Sequence, residues 1–143
     1  MTNTDSNVAM LQETYKRYAK EGIGPVLDHL TDDVVWNSYG PCDLPWCGQH
    51  IGRDGVSSFY ERLEGVLSIV KYDVHQVIAQ GDWVVALATV TAQSRASGRT
   101  ESFEKADVFR MRDGQISEFR EYYDSARALE LLREQPASEP AAG

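Results

Sequence analysis

The stretch ESFEKADVFRMRDGQISEFREYYD, residues 101–124, decides the fold of this chain. It covers most of two predicted strands, residues 100–111 and 116–123, and the turn between them. Both strands are rich in strand-forming side chains. The dipeptide Asp113-Gly114 between them is a strong hairpin signal. Because the connection is so short, the two strands must run antiparallel.

The segments on either side extend this hairpin into a larger sheet preceded by helices. Two further strands, 71–80 and 83–94, come before it, and a strand at 34–36 lies earlier in the chain. Apolar spacings of three and four predict a helix ending near Gly22, a short helix from Gly24-Pro25, a helix after Gly55, and a last helix after Asp124. We interpret residues 39–52 as a long loop. Helices grouped before an antiparallel sheet predict an α+β domain, and a strongly bent sheet around helices encloses a cone-shaped cavity.

Length and composition set the broad class. The chain has 143 residues, of which 42% are hydrophobic and 25% charged, as in one ordinary globular domain. We expect a single domain at 1–134 and a disordered tail at 135–143. The net charge of -8 argues against nucleic-acid partners. No apolar run is long enough for a membrane span, and the N-terminus shows no secretory signal, so we expect a cytoplasmic protein.

Metal and cofactor motifs are not evident. Cys42 and Cys47 form a C-x4-C pair without further ligands nearby, and we predict two free thiols. The histidines His29, His50 and His75 do not share metal-ligand spacing on one element. The sequence also lacks a phosphate-binding loop, a dinucleotide fingerprint and a serine-nucleophile motif. We therefore expect neither a metal nor a cofactor.

The strand at 100–111 carries the first candidate for chemistry. Alternation puts Phe103, Lys105, Asp107 and Phe109 on its more apolar face, which we expect to point inward. An inward Asp107 is costly if it is ionised and unpaired. Two outcomes remain open: desolvation keeps it neutral as a hydrogen-bond donor, or Lys105 or an arginine pairs with it.

Asp124, at the junction of the last strand and the last helix, is the second candidate. It is either a helix N-cap or an acid/base at the mouth of the cavity. Arg120 shares its strand parity and would hold it ionised. Tyr15, on the inner face of the first helix, is a core residue or a hydrogen-bond partner of Asp107. Seven further side chains, mostly aromatic, are candidates for lining a pocket that binds a small hydrophobic molecule: Trp36, Tyr39, Trp46, His50, Phe59, Phe103 and Phe109.

Taken together, these segments resemble the nuclear transport factor 2-like superfamily, especially its SnoaL-like and ketosteroid-isomerase-like branch. The matching pieces run from about Met10 to Leu132 and follow one another in the family's order and spacing. They are the opening helix with Tyr15 and the segments Leu30-Thr-Asp-Asp-Val-Val-Trp36, Gly52-Arg-Asp-Gly-Val with Phe59, Val108–Ile116 and Phe119-Arg-Glu-Tyr-Tyr-Asp124. The resemblance implies a cystatin-like α+β barrel, a curved antiparallel sheet with three helices forming a cone, and a homodimer formed through the sheet.

The resemblance also implies roles for individual residues. Tyr15 and Asp107 match the tyrosine and protonated aspartate of the ketosteroid-isomerase oxyanion hole. The general base of those isomerases falls here on Asn37 or Ser38, and the Arg-x-Asp of limonene-epoxide hydrolases is missing from the strand at 83–94. Asp124 matches the acid/base aspartate of SnoaL-like cyclases.

Two functions follow as hypotheses. The first is a cofactor-free lyase, isomerase or cyclase acting on a small hydrophobic carbonyl-bearing molecule. In it, Asp124 would move the proton, while Tyr15 and Asp107 would stabilise an enolate oxygen. The second is a non-catalytic small-molecule-binding or accessory protein on the same scaffold, in which Asp107 forms a structural ion pair with Lys105.

Overall fold

A computed structural model of the chain describes residues 3–133. The disordered tail predicted at 135–143 lies outside these residues. The described chain forms four helices and six strands. In chain order they are α1 (Asn3–Glu21), α2 (Gly24–Leu27), β1 (Leu30–Ser38), β2 (Gly48–Ile51), α3 (Gly52–Val66), β3 (Leu67–Gln80), β4 (Trp83–Ser94), β5 (Thr100–Arg112), β6 (Gln115–Tyr123) and α4 (Ser125–Arg133).

The strands form one curved sheet in the order β2-β1-β6-β5-β4-β3. Every neighbouring pair is antiparallel except β1 and β6, which run parallel. The β5–β6 hairpin turns at Asp113 and Gly114, whose φ angles of 53° and 78° lie in the left-handed region that such tight turns require. The predicted α+β fold with a curved, mostly antiparallel sheet is thus confirmed.

Strand alternation decides which side chains enter the core. Along β4, alternate residues from Val84 to Ser94 are buried, and along β5 the buried positions include Phe103, Asp107 and Phe109. Helices α1 and α3 pack on this inner face and add Leu11, Val56 and Phe59 to the core, among others. The inner face predicted for β5 is confirmed. None of the helices in the described residues is long and apolar enough to cross a membrane.

Three predicted boundaries were wrong, one of them at β3, which begins at Leu67 rather than at residue 71. The loop expected at 39–52 contains β2, a four-residue edge strand that pairs with the end of β1 through Val35–Ile51 and Ser38–Gly48. Its four residues include few strand formers. An edge strand this short is stabilised by its pairing with the neighbouring strand rather than by its own residue preferences. The first strand begins at Leu30 rather than at Val34. Its start is hard to predict from the sequence because Asp32 and Asp33 interrupt the apolar pattern; they lie exposed within an irregularity of the β1–β6 pairing.

Candidate functional site

A cavity opens between the inner face of the sheet and helices α1 and α3. Its volume is about 100 Å³, several times what one ordered water molecule needs. Most of the wall is apolar or aromatic, which favours a hydrophobic occupant. The aromatic residues of the wall are Tyr15, Tyr18, Trp36, Trp46, Phe59, Tyr60, Tyr72, Phe103, Phe109, Phe119 and Tyr123.

Asp107 is at the centre of the polar part of this wall. It is only 2% exposed, and β5 holds it on the inner face by strand alternation. The hydroxyl of Tyr15 donates to its Oδ2 at 2.6 Å, and the hydroxyl of Tyr72 donates to the same oxygen. Lys105 Nζ lies 3.1 Å from the other oxygen, Oδ1, yet no donor is aligned on Oδ1 as a hydrogen bond within the described residues. Asp107 therefore accepts two hydrogen bonds on one oxygen and has the other incompletely used.

Lys105 joins Asp107 to a second buried carboxylate. Its Nζ lies 2.8 Å from Oε1 of Glu121 and donates to the Tyr72 hydroxyl at 3.0 Å. The other oxygen of Glu121 accepts a short hydrogen bond from the Ser38 hydroxyl. Burial lowers the pKa of the Lys105 ammonium, but the Asp107 and Glu121 carboxylates outweigh it and hold that pKa well above its usual value. Lys105 is therefore charged throughout the physiological range.

The buried phenols around this cluster keep their protons. Burial, reinforced by the charge of Asp107, raises the pKa of Tyr15 and Tyr72 well above that of an exposed tyrosine. Burial also raises the pKa of Tyr60 well above its usual value, and burial with the nearby Glu64 raises the pKa of Tyr18 to about 12. At neutral pH these hydroxyls are therefore neutral hydrogen-bond donors.

The structure brings most of the predicted pocket residues together. Tyr15 and Asp107 share a hydrogen bond, and the predicted aromatic residues of the wall surround them. Of the two partners considered for Asp107, a lysine or an arginine, the structure places Lys105 beside it, with Nζ 3.1 Å from Oδ1. Because the Tyr15 hydroxyl donates its hydrogen bond to Asp107, the two do not form a ready oxyanion hole. The predicted residues that line the cavity besides these two are Trp36, Trp46, Phe59, Phe103 and Phe109.

Trp46 is part of the cavity wall. It is 2% exposed, and its indole Nε1 donates to the Tyr123 hydroxyl at 2.7 Å. In the same segment, Cys42 and Cys47 are free thiols, as predicted.

Four other candidates do not line the cavity. Asp124 is exposed, and its Oδ1 accepts the backbone N–H of Arg127, which makes it the N-cap of α4. Arg120 points to the outer face of the sheet, where it pairs with Glu118 at 2.5 Å. Tyr39 is 48% exposed and stacks on Tyr122 with ring centroids 5.3 Å apart. His50 is buried behind the wall, with Nε2 2.9 Å from the carbonyl oxygen of Trp46.

The sequence reasoning missed Glu121, Tyr60 and Tyr72. The candidates chosen on β6 and just after it were Arg120 and Asp124. Both occupy the even-numbered positions, which face away from the cavity. The sequence does indicate that the odd-numbered positions of β6 face inward, because Phe119 and Tyr123 flank Glu121 at alternate positions. Phe103 and Phe109 flank the charged pair on β5 in the same way.

Solved structures with the same fold share little sequence with this chain. An NTF2-like protein of unknown function from Burkholderia pseudomallei has 23% identity and a TM-score of 0.83, over 94% of this chain and 100% of that one. TerC, co-crystallised with polyporic acid, has 22% identity and a TM-score of 0.82, over 90% and 99%. A protein from Mesorhizobium loti, provisionally named a SnoaL-like polyketide cyclase, has 17% identity and a TM-score of 0.69, over 86% and 100%.

A family model decides the membership that these structures suggest. No curated protein sequence matches the chain. The model of the SnoaL-like domain matches residues 11–119, which include Tyr15, Lys105 and Asp107. The chain therefore belongs to the SnoaL-like domain family, within the NTF2-like superfamily.

Proposed function

We propose that the cavity is the active site of a cofactor-free enzyme that moves a proton on a small hydrophobic, carbonyl-bearing molecule. The observation that carries the proposal is the Asp107 carboxyl group in the cavity wall, which is 2% exposed and has no aligned donor on Oδ1 among residues 3–133. A carboxylate in the wall of an aromatic cavity is placed to take a proton from a substrate carbon that is held against it.

The proposed step is an isomerisation through an enolate. Asp107 takes a proton from the carbon next to the carbonyl, and the electron pair of that C–H bond moves into the enolate. The Tyr60 hydroxyl, which lines the same cavity and keeps its proton at neutral pH, donates to the enolate oxygen. In a substrate with a C=C bond next to the deprotonated carbon, the negative charge extends over a dienolate. Asp107 then returns the proton to the far carbon of that dienolate, so that the double bond shifts while atoms and charges balance.

Proton exchange tests this function without knowledge of the natural substrate. Small hydrophobic ketones are incubated with the protein in D₂O, and deuterium uptake next to the carbonyl is followed by mass spectrometry. We expect uptake with the wild type and a loss of about 100-fold or more with Asp107→Asn. Glu104→Gln, which removes an exposed carboxylate from the same strand, is the matched control. Uptake that Asp124→Asn abolishes and Asp107→Asn leaves intact would assign the base to Asp124 instead.

Non-catalytic binding is the second candidate, and one observation favours it. Lys105 lies on Asp107 and Glu121, and both tyrosine hydroxyls beside Asp107 already donate to it. Such a network of paired charges and hydrogen bonds stabilises a folded cavity without any reaction. In the D₂O experiment, a ketone that binds one per chain but takes up no deuterium would favour this function.

We further propose that the protein is a cytoplasmic homodimer formed through the outer face of the sheet. Support comes from an apolar row across three paired strands, Leu87, Ala106 and Tyr122, where Tyr122 is 45% exposed. Contiguous apolar surface of this kind is typical of interaction sites. Light scattering with Leu87→Arg tests it: a wild-type dimer should become a monomer.

A further inference from the structure

The charges in the cavity wall do not balance. Among residues 3–133, the wall contains two carboxylates, Asp107 and Glu121, but a single basic side chain, Lys105. We propose that the cavity selects a hydrophobic molecule that carries a protonated amine, in preference to a neutral alcohol or a carboxylate. This inference rests on the proposed use of the cavity as a ligand site and names the charge of its ligand.

The hydrogen bonds around Asp107 indicate which type of ligand group the cavity favours. Tyr15 and Tyr72 donate to Oδ2 of Asp107, and Lys105 Nζ lies within 3.1 Å of Asp107 and 2.8 Å of Glu121. The donors that surround Asp107 are thus already engaged, while its buried Oδ1 has no aligned donor within the described residues. A ligand that brings an N–H donor satisfies this oxygen, whereas a ligand that brings only acceptors does not.

The aromatic wall favours the same ligand. Ring faces attract cations, and the Lys105 ammonium already lies 5.1 Å from the centroid of Tyr72 and 5.9 Å from that of Phe119. Tyr15 lies beside Tyr72, with centroids 5.3 Å apart, and extends this aromatic surface at Asp107. A carboxylate ligand would increase an excess of negative charge that an ammonium group offsets.

Three probes with one ring and different charges test the selection. Benzylamine, benzyl alcohol and benzoate are titrated into the full-length protein at neutral pH, and binding is measured by calorimetry. We expect benzylamine to bind about tenfold or more tightly than benzyl alcohol, and benzoate to bind most weakly, because a charge-assisted hydrogen bond replaces a neutral one. Equal or tighter binding of the alcohol or of benzoate overturns the inference but leaves the cavity as a ligand site. Binding of none of the three, together with no capture from a broad hydrophobic library, overturns the proposed function as well.

Two substitutions with opposite expected effects separate charge from folding. Glu121→Gln removes the excess negative charge, so the ratio of amine to alcohol affinity should fall toward one. Lys105→Met increases the excess, so the same ratio should rise. Glu104→Gln, on the exposed side of β5, should leave the ratio unchanged. A ratio that moves in the same direction in both cavity variants contradicts the inference even where both lose stability.

Discussion

Replacing Lys105 by Met removes the cation that holds two buried carboxylates together. Its Nζ lies 2.8 Å from Glu121 and 3.1 Å from Asp107, and the Lys105 side chain is 15% exposed. Removing one partner of a buried ion pair typically costs about 3–5 kcal/mol, because the remaining charge is left uncompensated. For a chain of this length we expect the melting temperature to fall by about 10 °C. Urea unfolding at pH 7 gives the free energy directly, with Lys71→Met, an exposed lysine on β3, as control.

The difference in unfolding free energy between the wild type and Lys105→Met should decrease at high pH. The Asp107 and Glu121 carboxylates, acting against burial, raise the pKa of folded Lys105 above its unfolded value of about 10.4. Its contribution is therefore complete below about pH 10.4 and is lost as the pH rises through the folded pKa. The gap in unfolding free energy between the wild type and Lys105→Met should shrink above that pH, by up to about 1.4 kcal/mol per unit. A gap below about 1 kcal/mol at pH 7, or one matching that of Lys71→Met, would refute the buried ion pair.

Three further changes test other parts of the structure. Trp46→Phe removes the 2.7 Å hydrogen bond to Tyr123 while keeping an aromatic ring, and should lower the unfolding free energy by about 1–2 kcal/mol in urea titrations. Asp124→Ala should cost about 1 kcal/mol through loss of the α4 N-cap, whereas Asp124→Asn should be nearly neutral in the same assay. Leu87→Arg should convert the proposed dimer to a monomer in sedimentation experiments with little change in the near-ultraviolet circular dichroism, and a wild-type monomer would rule out the dimer.

The parts of the fold that the sequence predicts are those governed by local rules. Alternation along β5 identifies Phe103, Lys105 and Asp107 as inward residues, because each lies two positions from the next on a regular strand. The Asp113-Gly114 turn is predicted for a similar reason, since few residues adopt its backbone angles. In contrast, the edge strand β2 depends on pairing with β1, which no local pattern in its four residues reveals.

The site is only partly predictable because it joins residues from distant elements. Tyr72 on β3 reaches Asp107 across a sheet whose register contains irregularities, and a one-residue shift reverses the face of every side chain that follows. Glu121 could have been found from the alternation of Phe119 and Tyr123. Asp124 was chosen from the outward-facing positions instead. It lies just before α4, where it acts as a helix cap.

Capture of a ligand by the cavity is the most direct test of the account. Native mass spectrometry of the protein with a library of small hydrophobic compounds should show one bound molecule per chain. Ala92→Phe fills the cavity from β4, where Ala92 is 2% exposed, and should abolish capture, while Ala126→Phe adds the same ring on the exposed side of α4 and should not. No capture by the wild type, or equal capture by a folded Ala92→Phe variant, would contradict a binding role for the cavity.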